Sequence, residues 1–232
     1  MNESEFDQFA DEYEASLGAA VRLSGEASDY FAHQKVAEAA RLLNRMRQTP
    51  SVIVDFGAGV GSSLPHFERC FPNAEIVCTE ISTRSISVAR DRFSGRADFR
   101  QITEGKLPVA DASADLLFAA CVFHHIPHAE HHDWLKQLHG AARPGARLFV
   151  FEHNPYNPLT RNIVNACPFD ANAELISPGK LGKALEESGW QDVQCRYTLF
   201  FPALFAKLRV LEPWLSWLPL GAQYYATGVR HA

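Results

Sequence analysis

The stretch Val52-Ile53-Val54-Asp55-Phe56-Gly57-Ala58-Gly59-Val60-Gly61 constrains this chain more than any other. Val52–Val54 is a short apolar run of β-branched residues, the composition of a strand buried on both faces. It leads into glycines spaced G-x-G-x-G, and Ser62, Ser63 and Pro65 just beyond them are helix-start residues. Strand, glycine turn and helix in that order predict a βα unit of a parallel sheet, with the turn at the carboxyl edge of the strands, where ligands bind. Glycine lets the backbone take positive φ there and come close to a ligand that the helix amides face.

The charge beside the loop narrows the ligand. A dinucleotide fingerprint reads G-x-G-x-x-G, with helix amides aimed at a pyrophosphate. Here the spacing differs and Asp55 precedes the glycines. That carboxylate would repel a pyrophosphate and suits a cationic ligand carrying an ammonium or sulfonium group. The next predicted strand, over 74–78, leads to Glu80, which is placed to accept both hydroxyls of a ribose, as the acid about 20 residues on does in nucleotide folds.

The same alternation continues. Apolar spacing predicts helices over 3–17 and 30–46, from Ser82 to about Phe93, near 130–142, and from Ser177-Pro178 to Gly189. Strands are predicted over 97–102, 115–122, 147–151, 193–201 and 223–229. The fold class is α/β, a doubly wound, mostly parallel sheet with an N-terminal helical extension. No linker separates two cores, so residues 1–232 are expected to form one domain. Within it, 1–48 is a helical cap, 49–152 a cofactor-binding core, and 153–232 a substrate-side half with a helical insertion near 202–218.

Composition removes several classes. With 22 Lys+Arg against 27 Asp+Glu and a net charge of −5, the chain lacks the basic excess of a nucleic-acid binder. Its five cysteines are scattered without a C-x-x-C pair, which argues against a disulfide framework or structural zinc. The acidic N-terminus has no signal-peptide pattern, so a cytoplasmic location is expected. Leu199–Leu220 is apolar enough to invite a membrane reading, but Lys207, Arg209 and Glu212 would each cost roughly 2.5–3.5 kcal/mol at a bilayer centre. No integral span is expected. The aromatic residues of this stretch fit a pocket lid, ordinary core or a dimer face, or a patch at a membrane surface.

Asp55–Gly61 with Glu80 resembles motifs I and II of class I S-adenosylmethionine-dependent methyltransferases. Asp111–Ile126, containing Asp115-Leu-Leu-Phe-Ala-Ala-Cys-Val-Phe-His-His, resembles that family's fourth motif, and Leu138–Phe151, with Arg143-Pro144-Gly145, its fifth. The resemblance covers roughly residues 50–152. It implies a seven-stranded sheet of order 3-2-1-4-5-7-6 with the last strand antiparallel, and S-adenosyl-L-methionine as cofactor. Carried across, Asp55, Gly57, Ala58, Gly59 and Gly61 line the methionine part, and Glu80 with Ile81 holds the ribose. Thr103 and Glu104 flank the adenine, and Ala120 and Cys121 back the sulfonium. Thr103 stands where the family's third motif usually has an acid.

Three segments can build the acceptor side. His125 follows the fourth strand, and Glu152 and His153 follow the fifth; each can orient an acceptor or take its proton. Packing is an equal reading for His125, and a hydrogen-bonded proline-rich turn an alternative for Glu152–Arg161. Tyr13, Tyr30, His124, Asn154 and Phe201 are candidates for contacting the acceptor. His128, His131 and His132 crowd nearby, yet no metal is expected, because no acidic group stands behind the histidines. The expected reaction is methyl transfer to a small organic acceptor, with oxygen first and nitrogen or carbon behind. The rivals are a non-catalytic cofactor-binding module and a nicotinamide oxidoreductase; a homodimer stays open.

Overall fold

The structure, a computed structural model, describes residues 25–167, 170 and 172–231. The predicted helix over 3–17, and Tyr13 with it, lies outside the described residues. Helix α1 (Ser28–Arg45) precedes β1 (Val52–Phe56). The chain then alternates through α2 (Leu64–Cys70), β2 (Glu75–Glu80), α3 (Thr83–Arg92), β3 (Asp98–Gln101), β4 (Ala114–Ala120), α4 (His131–Ala141) and β5 (Ala142–His153). It closes with α5 (Pro158–Ala166), α6 (Pro178–Glu187), β6 (Gln191–Thr198), a 3-10 stretch Ala203–Leu211, α7 (Glu212–Leu215) and β7 (Gln223–Val229).

The sheet has seven strands in the order β3-β2-β1-β4-β5-β7-β6, the order that the resemblance implied. β7 runs antiparallel to both β5 and β6, and the other pairings are parallel. Side chains alternate across the strands, and both faces are buried. Ile53 packs with Val36, Leu64, Phe67 and Ile86 of α1–α3, whereas Val54 and Phe56 pack with Trp134 and Leu138 of α4 and Leu181 of α6. Strand order reverses between β1 and β4, whose carboxyl ends therefore open a crevice.

The differences from the sequence reading have local causes. β5 is much longer than the predicted 147–151, because Arg143-Pro144-Gly145 is drawn into the strand across a register irregularity between Ala114 and Leu116. β6 stops at Thr198 rather than running to 201, since Leu199 turns the chain with φ +60°. A helix the sequence reading did not include, α5, begins where a polar turn was one reading. Asn157 accepts from the amides of Leu159 and Thr160, and Pro158 occupies the first helical position. Among the described residues no helix is long and apolar enough to cross a membrane.

Candidate active site

The crevice is a cavity of about 420 Å³, and one wall is built mostly from main chain. At the end of β1 the amides of Gly57 and Ala58 donate to the Thr79 carbonyl at 2.8 and 3.0 Å, folding the loop over β2. Gly57 has φ +72°, and a Cβ there would lie 2.5 Å from Val122. Gly59, at φ +53°, has nothing within 4 Å of the same position, so its backbone is bare to the cavity. Gly61 serves differently. It does not line the cavity; its missing Cβ makes room for the Phe93 ring, 3.1 Å away, and so seats the loop against α3.

Two carboxylates stand on this wall. Glu80, at the end of β2, accepts from the amides of Gly59, Ile81 and Ser82 at 2.8–2.9 Å. Ser82 in turn caps α3 through the Ser85 amide, so the helix start and the acid are fixed together. Asp55 is 2% exposed, and its Oδ2 has no hydrogen-bond partner. Burial, with the charge of Glu80 second, pushes its carboxyl up to about 7. An unpartnered buried carboxylate facing a cavity is completed by a cation. A bare glycine backbone beside it leaves room for an amino-acid tail, so the residues present fit S-adenosylmethionine.

Ala58, Ile81, Ala120 and Cys121 share the same cavity, whereas Thr103 and Glu104 line an adjoining one of about 330 Å³. Ile81 and Ile102 belong to both. Thr103 also forms an isolated bridge with Lys106.

The opposite wall is built from side chains. Glu152, fully buried on β5, accepts from the amides of Val122 and Phe123 at 3.2 and 2.8 Å and lies 2.5 Å from His124 Nδ1. His124 Nε2 lies 3.3 Å from Asp170, whose same oxygen is 3.5 Å from His125 Nε2. Burial opposes the charged form of His124, but Glu152 and Asp170 outweigh it and hold its pKa well above the ordinary histidine value. Burial and that imidazolium together lower His125 to about 4, leaving it neutral at pH 7. Burial would raise Asp170, yet its hydrogen bond to His124 and the surrounding histidines bring it to about 2. Cys121, at φ +60°, is raised by burial but lowered more by Lys35 and His153, to about 7.

His124, His125 and Asp170 bring ligating atoms within 4.8 Å of one another. With both ring nitrogens of His124 turned to carboxylates, the group is a charged hydrogen-bond network. The sequence reading found no acid behind these histidines; Glu152 is that acid, and it was expected as a base or clamp. It does not line the cavity.

His153 and Phe201 line the cavity, as do His124, His125 and Tyr30. Asn154 does not: it is fully buried, and its amide donates to the carbonyls of Pro219 and Gly221, so it ties the turn after β5 to the chain before β7. Tyr30 lies 4.6 Å under the Arg209 guanidinium, which also pairs with Glu26 at 2.6 Å.

Comparison with known proteins bears on the same crevice. Residues 54–148 match the family model described as a methyltransferase domain, a span from β1 into β5. That match covers less than half of the chain, and it agrees with the resemblance to class I S-adenosylmethionine-dependent methyltransferases carried by Asp55–Gly61 and Glu80. S-adenosylmethionine is the cofactor that this likeness implies, and the residues of the β1–β2 wall fit it. Over 169 residues the chain is 27% identical to a trans-aconitate 2-methyltransferase of Methylobacterium radiotolerans, a match covering 70% of this chain and 64% of that protein. The chain thus spans just under two thirds of that relative's length. A Thermotoga maritima S-adenosylmethionine-dependent methyltransferase, described as a possible histamine N-methyltransferase, superposes with a TM-score of 0.69 at 20% identity, over 98% of this chain and 99% of that one. A chain from the complex between the Haloferax volcanii Trm112 methyltransferase activator and a methyltransferase gives a TM-score of 0.68 at 17% identity over 98% of each.

Around the cavity, sequence reasoning missed Asp170, Lys35, Arg209 and Gln223, whose side-chain amide lies 3.5 Å from His153 Nδ1. Asp170 and Lys35 stand alone in the sequence with no spacing to mark them. Asn157 did carry a signal, since Asn-Pro is the same cap-and-first-turn pair that Ser177-Pro178 displays at α6.

Proposed function

We propose that this chain transfers a methyl group from S-adenosylmethionine to an oxygen atom of a small organic acceptor, with an acidic acceptor favoured. One observation carries the choice of acceptor: the Lys35 ammonium lines the cavity where Cys121 stands, and with His153 it lowers the buried thiol. A cation at that end attracts a carboxylate or an enolic or phenolic oxygen, whereas the His124 charge is answered by Glu152 and Asp170. The relative named for trans-aconitate methylation supports the same class of acceptor.

When bound, S-adenosylmethionine supplies an electrophilic methyl group on a sulfonium. In this reading residues 49–152 bind it, with Asp55 answering its positive charge, the bare backbone at Gly59 lying along its amino-acid tail, and Glu80 taking the ribose. Thr103 and Glu104 serve the adenine from the adjoining cavity. His125, neutral at pH 7 and with its Nε2 facing Asp170, is the group assigned to take a proton from a hydroxyl acceptor, and His153 stands on the same wall to orient it. Glu152 acts through His124, which it holds in place and charged. Tyr30 and Phe201 exclude water, and orientation in such a site supplies up to about 7–11 kcal/mol of the barrier. A cytoplasmic location belongs to the same reading.

The test is transfer of radiolabelled methyl from the cofactor to a panel of small carboxylic acids, phenols and primary amines. Labelling of acids or phenols supports the proposal. Labelling confined to amines overturns the choice of atom, and cofactor binding with no transfer to any class leaves a pure binding module.

A further inference from the structure

Between β6 and β7 the chain makes an excursion whose polarity is inverted. Its ends are joined by the Ala222 amide to the Leu199 carbonyl, and nothing in Ala203–Leu211 or Glu212–Leu215 is buried. The polar groups turn inward. Glu212 accepts from the amides of Phe200 and Phe201, and Arg209 reaches back to Glu26, Tyr30 and the Phe201 carbonyl. The large apolar side chains turn outward: Leu204 is 86% exposed, Trp214 68% and Trp217 69%, with Phe205, Leu208 and Val210 also exposed. A surface segment folded for water would do the reverse.

The patch adjoins the cavity rim. Phe201, Pro202 and Arg209 of the excursion line the cavity, and so does the exposed Leu159 at the start of α5. Asn157 donates to the Leu220 carbonyl at 2.8 Å, which fixes that start of α5 beside the far end of the excursion. Charge on this face is one-sided. Over 156–166 and 199–222 the exposed charged residues are Arg161 and Lys207, both cations, on a chain of net charge −5.

We infer that the 202–220 face docks on the surface of an anionic lipid bilayer, with Trp214 and Trp217 at headgroup level and the cavity rim turned toward the membrane. Tryptophan suits that depth because its ring is apolar and its N–H stays wet. Exposed leucine and phenylalanine bury among acyl chains, and cations beside them meet anionic headgroups. A second copy seated on the same face would instead cover the rim through which an acceptor enters. The docking needs no reaction to be observed. Its consequence, that the acceptor is amphiphilic and is drawn from the bilayer, rests on the methyl-transfer reading above.

The test is co-sedimentation of the full chain with phosphatidylcholine vesicles with and without phosphatidylglycerol, followed in parallel by tryptophan emission. Of four tryptophans, Trp134 and Trp190 are buried, so a change reports Trp214 and Trp217. The expected result is sedimentation with the anionic vesicles, a blue shift, and weakening by salt. The double variant Trp214→Ser/Trp217→Ser should lose about tenfold or more in vesicle affinity, and Lys207→Glu should bind more weakly, with both keeping the wild-type melting midpoint and affinity for S-adenosylhomocysteine. Failure to sediment with either vesicle overturns the inference. So does a dimer in sedimentation velocity that the same tryptophan substitutions disperse, or a blue-shifted emission already present without vesicles. Loss of methyl transfer with vesicle binding intact would count only against the reaction.

Discussion

The two walls of the cavity are made by opposite means. The wall under β1 and β2 is main chain: glycines at φ +72° and +53°, amides folded onto Thr79 and Glu80, and one carboxylate left without a partner. The wall under β4 and β5 is side chain, a relay of Glu152, His124, Asp170 and His125 drawn from three separate segments. The first leaves no room for an added atom at Gly57 and open space at Gly59, with the backbone left-handed at both; the second depends on balanced charge. A backbone wall recognises a ligand part common to many proteins of one fold, while a side-chain wall can be rewritten without disturbing it.

The charge wall is expected to break hardest. Glu152→Ala leaves the His124 imidazolium buried without its main partner, at a cost of about 3–5 kcal/mol. The signs define the pH window. Glu152 is lowered, so its contribution is present at neutral pH and fades as pH falls below the ordinary carboxylate range. His124 is raised, so its contribution is present below the ordinary histidine value and fades as pH climbs through the elevated one. Thermal unfolding should therefore separate variant and wild type most between the ordinary carboxylate and histidine values, at about pH 5–6, and less in strong acid or base; equal midpoints in that window would break the contrast. The backbone wall comes next. Gly57→Ala combines a left-handed φ, about 1–2 kcal/mol, with a clash against Val122, about 1–3 kcal/mol. Melting should fall accordingly, and affinity for S-adenosylhomocysteine should fall with it.

Much of this was legible in the sequence, but unevenly. β7 matches its predicted span residue for residue, and β1, α3 and α6 follow from β-branched runs and from Ser-cap patterns at Ser82 and Ser177. The positions of Asp55, Gly57 and Glu80 could be read because strand, turn and helix are adjacent in the chain, so local chemistry fixes their relative placement. The side-chain wall could not be read that way. Asp170 meets His124 and His125 across more than forty residues of sequence, near where the Glu174 amide donates to the His124 carbonyl, a contact that no periodicity encodes. Asn154 looked like an acceptor contact for the same reason that it is a strut: a buried asparagine beside a strand end satisfies carbonyls, and only the fold decides whose.

Two smaller effects sharpen the comparison. Asp55→Asn removes a buried charge that costs stability above the ordinary carboxylate range and increasingly so up to about pH 7. The variant should melt higher than wild type at pH 8 and show no gain at pH 4, while binding S-adenosylmethionine about tenfold or more weakly. A variant that binds as tightly as wild type would show that Asp55 answers no cation. Gly59→Ala should be the mildest, a strain of about 1–2 kcal/mol without a clash, because its Cβ points into open cavity. It should lower cofactor affinity more than it lowers the melting midpoint, the reverse of Gly57→Ala.

The most direct test is calorimetric titration of the wild type and Glu80→Ala with S-adenosylmethionine between pH 5 and pH 8. A cation meeting a carboxylate that titrates near 7 displaces its proton. Saturable one-to-one binding should therefore tighten as pH rises to about 7 and then level off, with proton release at the acid end and severe weakening in Glu80→Ala. Binding that ignores pH and survives the loss of Glu80, or no binding by the wild type at all, would contradict the assignment of this wall to the cofactor.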